Sequence, residues 1–136
     1  MNQIRVGLFL LLVCSFISCS DNSDSIVGTW EGVDKFGNFQ TLKFYEDLSA
    51  VFIIKTKTRQ DTLKINYEIF EHKNPKWLNL YNFNRGFLKN KNLYCIYEIK
   101  NNVLRLDAEA GGLNNSDAVV RPKEFTSETV EYKRLE

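Results

Sequence analysis

The side chains that could do chemistry are few and scattered. The chain holds one histidine, His72, and three cysteines, Cys14, Cys19 and Cys95. One histidine and one mature thiol cannot furnish the four ligands of a structural zinc site. A Cys95–His72 nucleophilic pair would need both groups in one cleft. Cys95 instead stands between Leu93 and Tyr97 in an apolar stretch, where cysteine serves as a small hydrophobe. His72 lies beside a turn ending at Pro75, a position expected to face solvent. The carboxylates Asp34, Glu46, Asp47, Asp107 and Asp117 fall mostly in turns, without the dense alternation of a calcium loop. Gly111-Gly112 has no helix after it and so offers no phosphate cradle. Lys55, Lys57, Arg59 and Lys64 surround one turn and read as a solvated hairpin tip. No catalytic residue, metal site or cofactor is nominated, and a non-enzymatic role is expected.

The amino terminus carries a more specific message. Arg5 precedes an apolar run from Val6 to Ile17, about 12 residues and thus the length of a signal-peptide apolar region. A spanning helix needs about 20. The run ends Phe16-Ile17-Ser18-Cys19 and turns at once to Ser20-Asp21-Asn22-Ser23-Asp24-Ser25. This junction resembles the lipobox of bacterial lipoproteins. The resemblance implies cleavage after residue 18, acylation of Cys19, and a membrane as partner through the acyl chains. Several chains together anchor firmly where one is marginal. Residues 1–18 are then a lipoprotein signal, 19–25 a polar tether, and 26–136 one domain in the cell envelope. Ser20 resembles an outer-membrane sorting residue, while Asp21 and Asp24 resemble signals for surface display, so the membrane face stays open. With Cys14 removed and Cys19 acylated, Cys95 is alone and no intrachain disulfide is expected. The formal charge of +1 falls to zero without Arg5, which gives no electrostatic basis for nucleic-acid binding.

The elements after Ser25 read as strands and short turns, with no long helical period. Candidate strands cover 26–33, 39–45, 50–57, 62–70, 77–83, 93–99, 103–107 and 129–135. In the fourth, Leu63, Ile65, Tyr67 and Ile69 share one face, and Lys64, Asn66 and Glu68 the other. Asn101-Asn102 marks a tight hairpin. The longest loop is expected at 110–117. The predicted fold is all-β, a single antiparallel up-and-down barrel of about eight strands, with a two-sheet sandwich as its rival.

Several segments in order carry a family resemblance: Ile26-Val27-Gly28-Thr29-Trp30, Tyr67-Glu68-Ile69, Pro75-Lys76-Trp77-Leu78-Asn79-Leu80, Ile96–Leu106, Arg121-Pro122-Lys123-Glu124-Phe125 and Tyr132-Lys133-Arg134. Together they resemble the lipocalin-like domains of bacterial lipoproteins, across nearly all of the chain after Ile26. The departure is Cys95, where that family often has glycine. The resemblance implies a barrel and a general capacity for ligand binding, without naming a ligand. It also implies that Gly28, Trp30 and Arg134 close one end of the barrel, the guanidinium from the last strand stacking on the indole. Trp30 is expected in the core.

Inward candidates for a ligand pocket are Phe44, Ile65, Tyr67, Leu80, Tyr97, Leu106 and Tyr132, the tyrosines adding polar tips to apolar area. A filled interior and a cavity both fit this pattern. Two functions follow. A cavity predicts a binding module for a small hydrophobic or amphipathic ligand. A solid barrel predicts an interaction protein or enzyme inhibitor that meets an envelope protein through loops 82–92 and 109–120.

Overall fold

The computed structural model describes residues 22–112 and 121–135. The signal segment, Cys19 and the first part of the tether lie outside the described residues, as does most of the loop expected at 110–117. Eight strands form one closed antiparallel barrel in chain order. They are β1 (Gly28–Val33), β2 (Phe39–Phe44), β3 (Ser49–Lys55), β4 (Gln60–Phe70), β5 (Lys76–Tyr81), β6 (Lys91–Lys100), β7 (Val103–Gly112) and β8 (Val130–Leu135). Pairing of Thr29–Gly32 with Tyr132–Leu135 closes the circle. The up-and-down barrel expected from the alternation is therefore the fold, and the sandwich is not. One 3-10 turn, Asn22–Asp24, precedes β1.

Side-chain parity builds the interior. Trp30, Leu42, Phe44, Ala50, Phe52, Leu63, Ile65, Tyr67, Leu78, Leu80, Cys95, Tyr97, Leu104, Leu106 and Tyr132 belong to one buried cluster. Alternate positions on the same strands, such as Glu31, Lys64, Glu68 and Lys133, face water, as a closed sheet with a dry inside requires. Closure pairs every strand on both sides along at least part of its length.

The principal departure from the sequence expectation is β7, which runs on to Gly112. Alanine and glycine are poor strand formers, yet Leu93↔Ala110, Asn92↔Gly111 and Lys91↔Gly112 pair across to β6. The ladder overrides local preference here, as tertiary context commonly does.

The two ends differ. Turns 45–48, 71–75 and 101–102 lie at one end, which we call the floor. Turn 34–38, turn 56–59, loop 82–90 and the connection into β8 lie at the other, the mouth. Toward the mouth the wall has two seams. β4 pairs with β5 only through Asn66–Phe70, leaving Gln60–Ile65 beyond the end of β5. β7 pairs with β8 only through Val103–Leu106.

Candidate functional site

The floor is sealed by aromatic packing. Trp30 is 0% exposed, and its Nε1 donates to the Ile26 carbonyl at 2.8 Å. The Arg134 guanidinium lies 4.1 Å from the Trp30 ring, a stacking worth about 0.5–2 kcal/mol. Arg134 also donates to the carbonyls of Ser25 at 2.6 Å and Val27 at 3.0 Å. Its reach depends on Gly28, whose φ is +136° and where a Cβ would stand 2.8 Å from Arg134 Nη1. Gly28, Trp30 and Arg134 thus meet in one cluster. Phe44 and Tyr67 pack edge to face at 5.0 Å, and the Tyr67 hydroxyl donates to the Tyr45 carbonyl at 2.7 Å. Burial, with Asp47 and Glu46 nearby, raises the Tyr67 pKa. Tyr97 is buried, chiefly by which its pKa is raised as well.

Above the floor the interior opens into a cavity of about 650 Å³, within the range of small-molecule sites. Leu42, Phe52, Leu63, Leu80, Leu93 and Leu106 form its apolar base. Ala108 and Ala110 of β7 line it higher up, and their short side chains leave the space unfilled. An eight-stranded barrel is just wide enough to be filled by large side chains or to hold one small ligand. This barrel is filled by large side chains at its floor and leaves an open cavity at its mouth.

The polar groups of the cavity converge from β8, β2 and the β1–β2 turn. The Tyr132 hydroxyl donates to Gln40 Oε1 at 2.5 Å, and Gln40 Nε2 donates to Asp34 Oδ2 at 3.2 Å. Asp34 also accepts from the backbone of Phe36 and Asn38 and from Asn38 Nδ2. Partial burial works against ionisation of Asp34, but these hydrogen bonds outweigh it and hold its pKa below the usual value. Burial raises the Tyr132 pKa, with Cys95 and Asp34 adding to the effect. Tyr132 lies flat against β1 because Gly32 has no side chain; a Cβ there would stand 2.9 Å from Tyr132 Cδ1 and 2.7 Å from the Glu131 carbonyl.

Loops cover both seams. At the first, Phe83 and Leu88 are buried and anchor the β5–β6 loop. Asn82 Nδ2 donates to Asn66 Oδ1 at 2.9 Å, and the Arg85 guanidinium donates to the Thr62 carbonyl on the free stretch of β4. At the second, Asp107 Oδ2 accepts from Thr126 Oγ1 and Thr129 Oγ1, each at 2.9 Å. The preceding residues strap across the outer wall. Arg121 sits 4.5 Å from the Trp77 ring and 5.4 Å from Tyr94, and donates to the Cys95 carbonyl at 2.5 Å. In the sequence Arg121 stands out only as part of a segment carrying the family resemblance, and nothing there announces this clamp. At the rim, Phe36 and Phe87 both line the cavity while 78% and 74% exposed.

The residues expected to form one pocket divide by depth. Leu80, Leu106 and Tyr132 line the cavity, whereas Phe44, Ile65, Tyr67 and Tyr97 belong to the packed floor. Alternation assigns a face but not a height along the barrel axis, so it grouped both sets. Sequence reasoning missed Gln40, Arg85, Phe36, Phe87, Ala108 and Ala110. The available signals were phenylalanines beside glycine in turns, Phe36-Gly37 and Gly86-Phe87, and small residues at inward parity in β7.

Cys95 is wholly buried, and desolvation pushes its thiol up to about 12. His72 is exposed in the β4–β5 turn at the floor, so the two do not share a cleft. Among the described residues no group of three or more His, Cys, Asp or Glu side chains could hold a metal ion. No protein-family model, curated protein or solved structure matches the chain.

Proposed function

We propose that this protein is a lipid-anchored, lipocalin-like lipoprotein of the cell envelope whose barrel binds a small hydrophobic or amphipathic ligand. The observation carrying this reading is the cavity of about 650 Å³, apolar at its base, polar on one flank and open at one end. A barrel serving only as scaffold gains stability by filling its interior, since voids forfeit dispersion contacts. This chain fills one half with aromatics and lines the other with alanines and leucines. Binding requires no chemistry at the site, which agrees with the scattered carboxylates and the buried, unreactive Cys95. The lipid-anchor part rests on the sequence at Phe16–Cys19 alone.

Native mass spectrometry of the chain isolated from its own cells tests the binding part. A reproducible small mass, released on unfolding, supports it. An empty barrel that takes up no apolar dye would overturn it. Metabolic labelling with palmitate tests the anchor: label lost in Cys19→Ser supports acylation, and an unlabelled native chain rejects it.

Exposed Val33, Phe36, Phe39 and Phe87 at the mouth favour a second reading, docking of an envelope protein on the loops. A partner retained by the native chain but lost when Phe36 and Phe87 are both changed to serine, without loss of dye binding, would support that reading.

A further inference from the structure

We propose that the cavity selects ligands with an anionic head on an apolar body, the head being held by Arg85 at the seam between β4 and the β5–β6 loop. This rests on the ligand-binding reading and adds the chemical class of the ligand.

The charged groups lining the cavity are Asp34, Lys35, Arg59, Asp61, Arg85, Asp107 and Glu128. Most already have their complement within the protein. Lys35 Nζ and Glu128 Oε1 pair at 2.5 Å, and Arg59 Nε and Asp61 Oδ2 at 3.1 Å. Asp34 accepts four hydrogen bonds from its own turn and Gln40. Asp107 is occupied by Thr126 and Thr129. Of the three cations, Lys35, Arg59 and Arg85, only Arg85 has no carboxylate within ion-pair distance among the described residues; its contact is a neutral backbone carbonyl, that of Thr62. A guanidinium carries five donors in a planar fork suited to carboxylate, sulfate or phosphate. One donor spent on a carbonyl leaves the rest of the fork for an anion.

The apolar side of the same argument fixes the ligand's shape. Beneath Arg85 the wall is Leu63, Leu80, Leu88 and Leu93, and Phe87 stands beside it at the rim. A tail entering between the loops reaches the leucine base while its head stops at the arginine. A fully apolar ligand would leave Arg85 without a counter-charge. A cationic head would meet it with repulsion.

Three probes with the same tail separate these cases: decanoate, decanol and decylammonium. Binding to the intact chain in lipid nanodiscs, at low salt, is measured by calorimetry with partitioning into empty nanodiscs subtracted. Decanoate should bind about fivefold more tightly than decanol, the scale of one partly exposed charge-assisted contact, and the ratio should shrink as salt is added. Arg85→Gln should bring decanoate to the level of decanol measured on the same variant, while Arg85→Lys should keep part of the preference. Equal binding of decanoate and decanol, tighter binding of decylammonium, or a carboxylate preference surviving in Arg85→Gln would each overturn the assignment. If decanol and a neutral apolar dye bind while decanoate is not favoured, the binding reading stands and the head-group assignment alone fails. If no probe binds, the binding reading itself fails.

Discussion

The floor and the mouth of this barrel are built from the same eight strands and obey different rules. At the floor, Trp30, Phe44, Tyr67 and Tyr97 fill the cross-section, and Arg134 ties the indole to three neighbouring carbonyls. At the mouth the ladder loosens on two sides, loops cover the seams, and small residues leave a void. The difference teaches that a closed strand circuit does not decide whether a barrel is solid. The sizes of the inward side chains at each level decide it.

Five substitutions and two titrations can break or sharpen this contrast. The largest effect is expected for Trp30→Ala, which should lose about 3–5 kcal/mol in denaturant unfolding. Phe87→Ala at the mouth should stay within about 0.5 kcal/mol. Similar losses at both positions would erase the distinction. Next come two matched additions of volume. Ala50→Leu, in the packed part, should cost about 1–3 kcal/mol by overpacking. Ala110→Leu should leave stability nearly unchanged and instead reduce uptake of an apolar dye. Gly32→Ala is expected to fall between the extremes, at about 1–2 kcal/mol, because the new methyl meets the Glu131 backbone carbonyl and the Tyr132 ring. A shift in tyrosine fluorescence should accompany it.

The smallest effects concern titration. Cys95 should resist alkylation in the native state at neutral pH and react once the chain is unfolded; rapid native labelling would mean the floor is not sealed. Its folded pKa, raised from 9.0 to about 12, favours the unfolded state as pH rises. The stability it confers is complete below pH 9.0 and is lost progressively toward about 12. Asp34 works in the opposite sense. Its lowered pKa gives stability above the unfolded carboxylate value of 3.8, lost as pH falls through the folded one. Acid should therefore loosen the β1–β2 turn at the mouth first, visible as faster amide exchange at Phe36 and Asn38 than at Trp30.

The fold was largely legible because alternation is a property of neighbouring residues. Leu63, Ile65 and Tyr67 announce an inward face without reference to any other strand. Height within the barrel depends on register between strands, which no single segment contains. Leu80 and Tyr97 therefore read alike, yet one lines the void and the other lies beneath it. The end of β7 was read as loop since Ala110, Gly111 and Gly112 lack strand character alone and acquire it by pairing with β6. Arg85 was illegible for a related reason: its meaning depends on where β5 stops and leaves the Thr62 carbonyl uncovered.

The chain enters the barrel through its plugged end. Arg134 grips the carbonyls of Ser25 and Val27 there. A support fastened at Cys19 would thus carry the molecule like a cup standing on its foot. Its contents would be traded with whatever lies opposite that support rather than with the surface on which it stands.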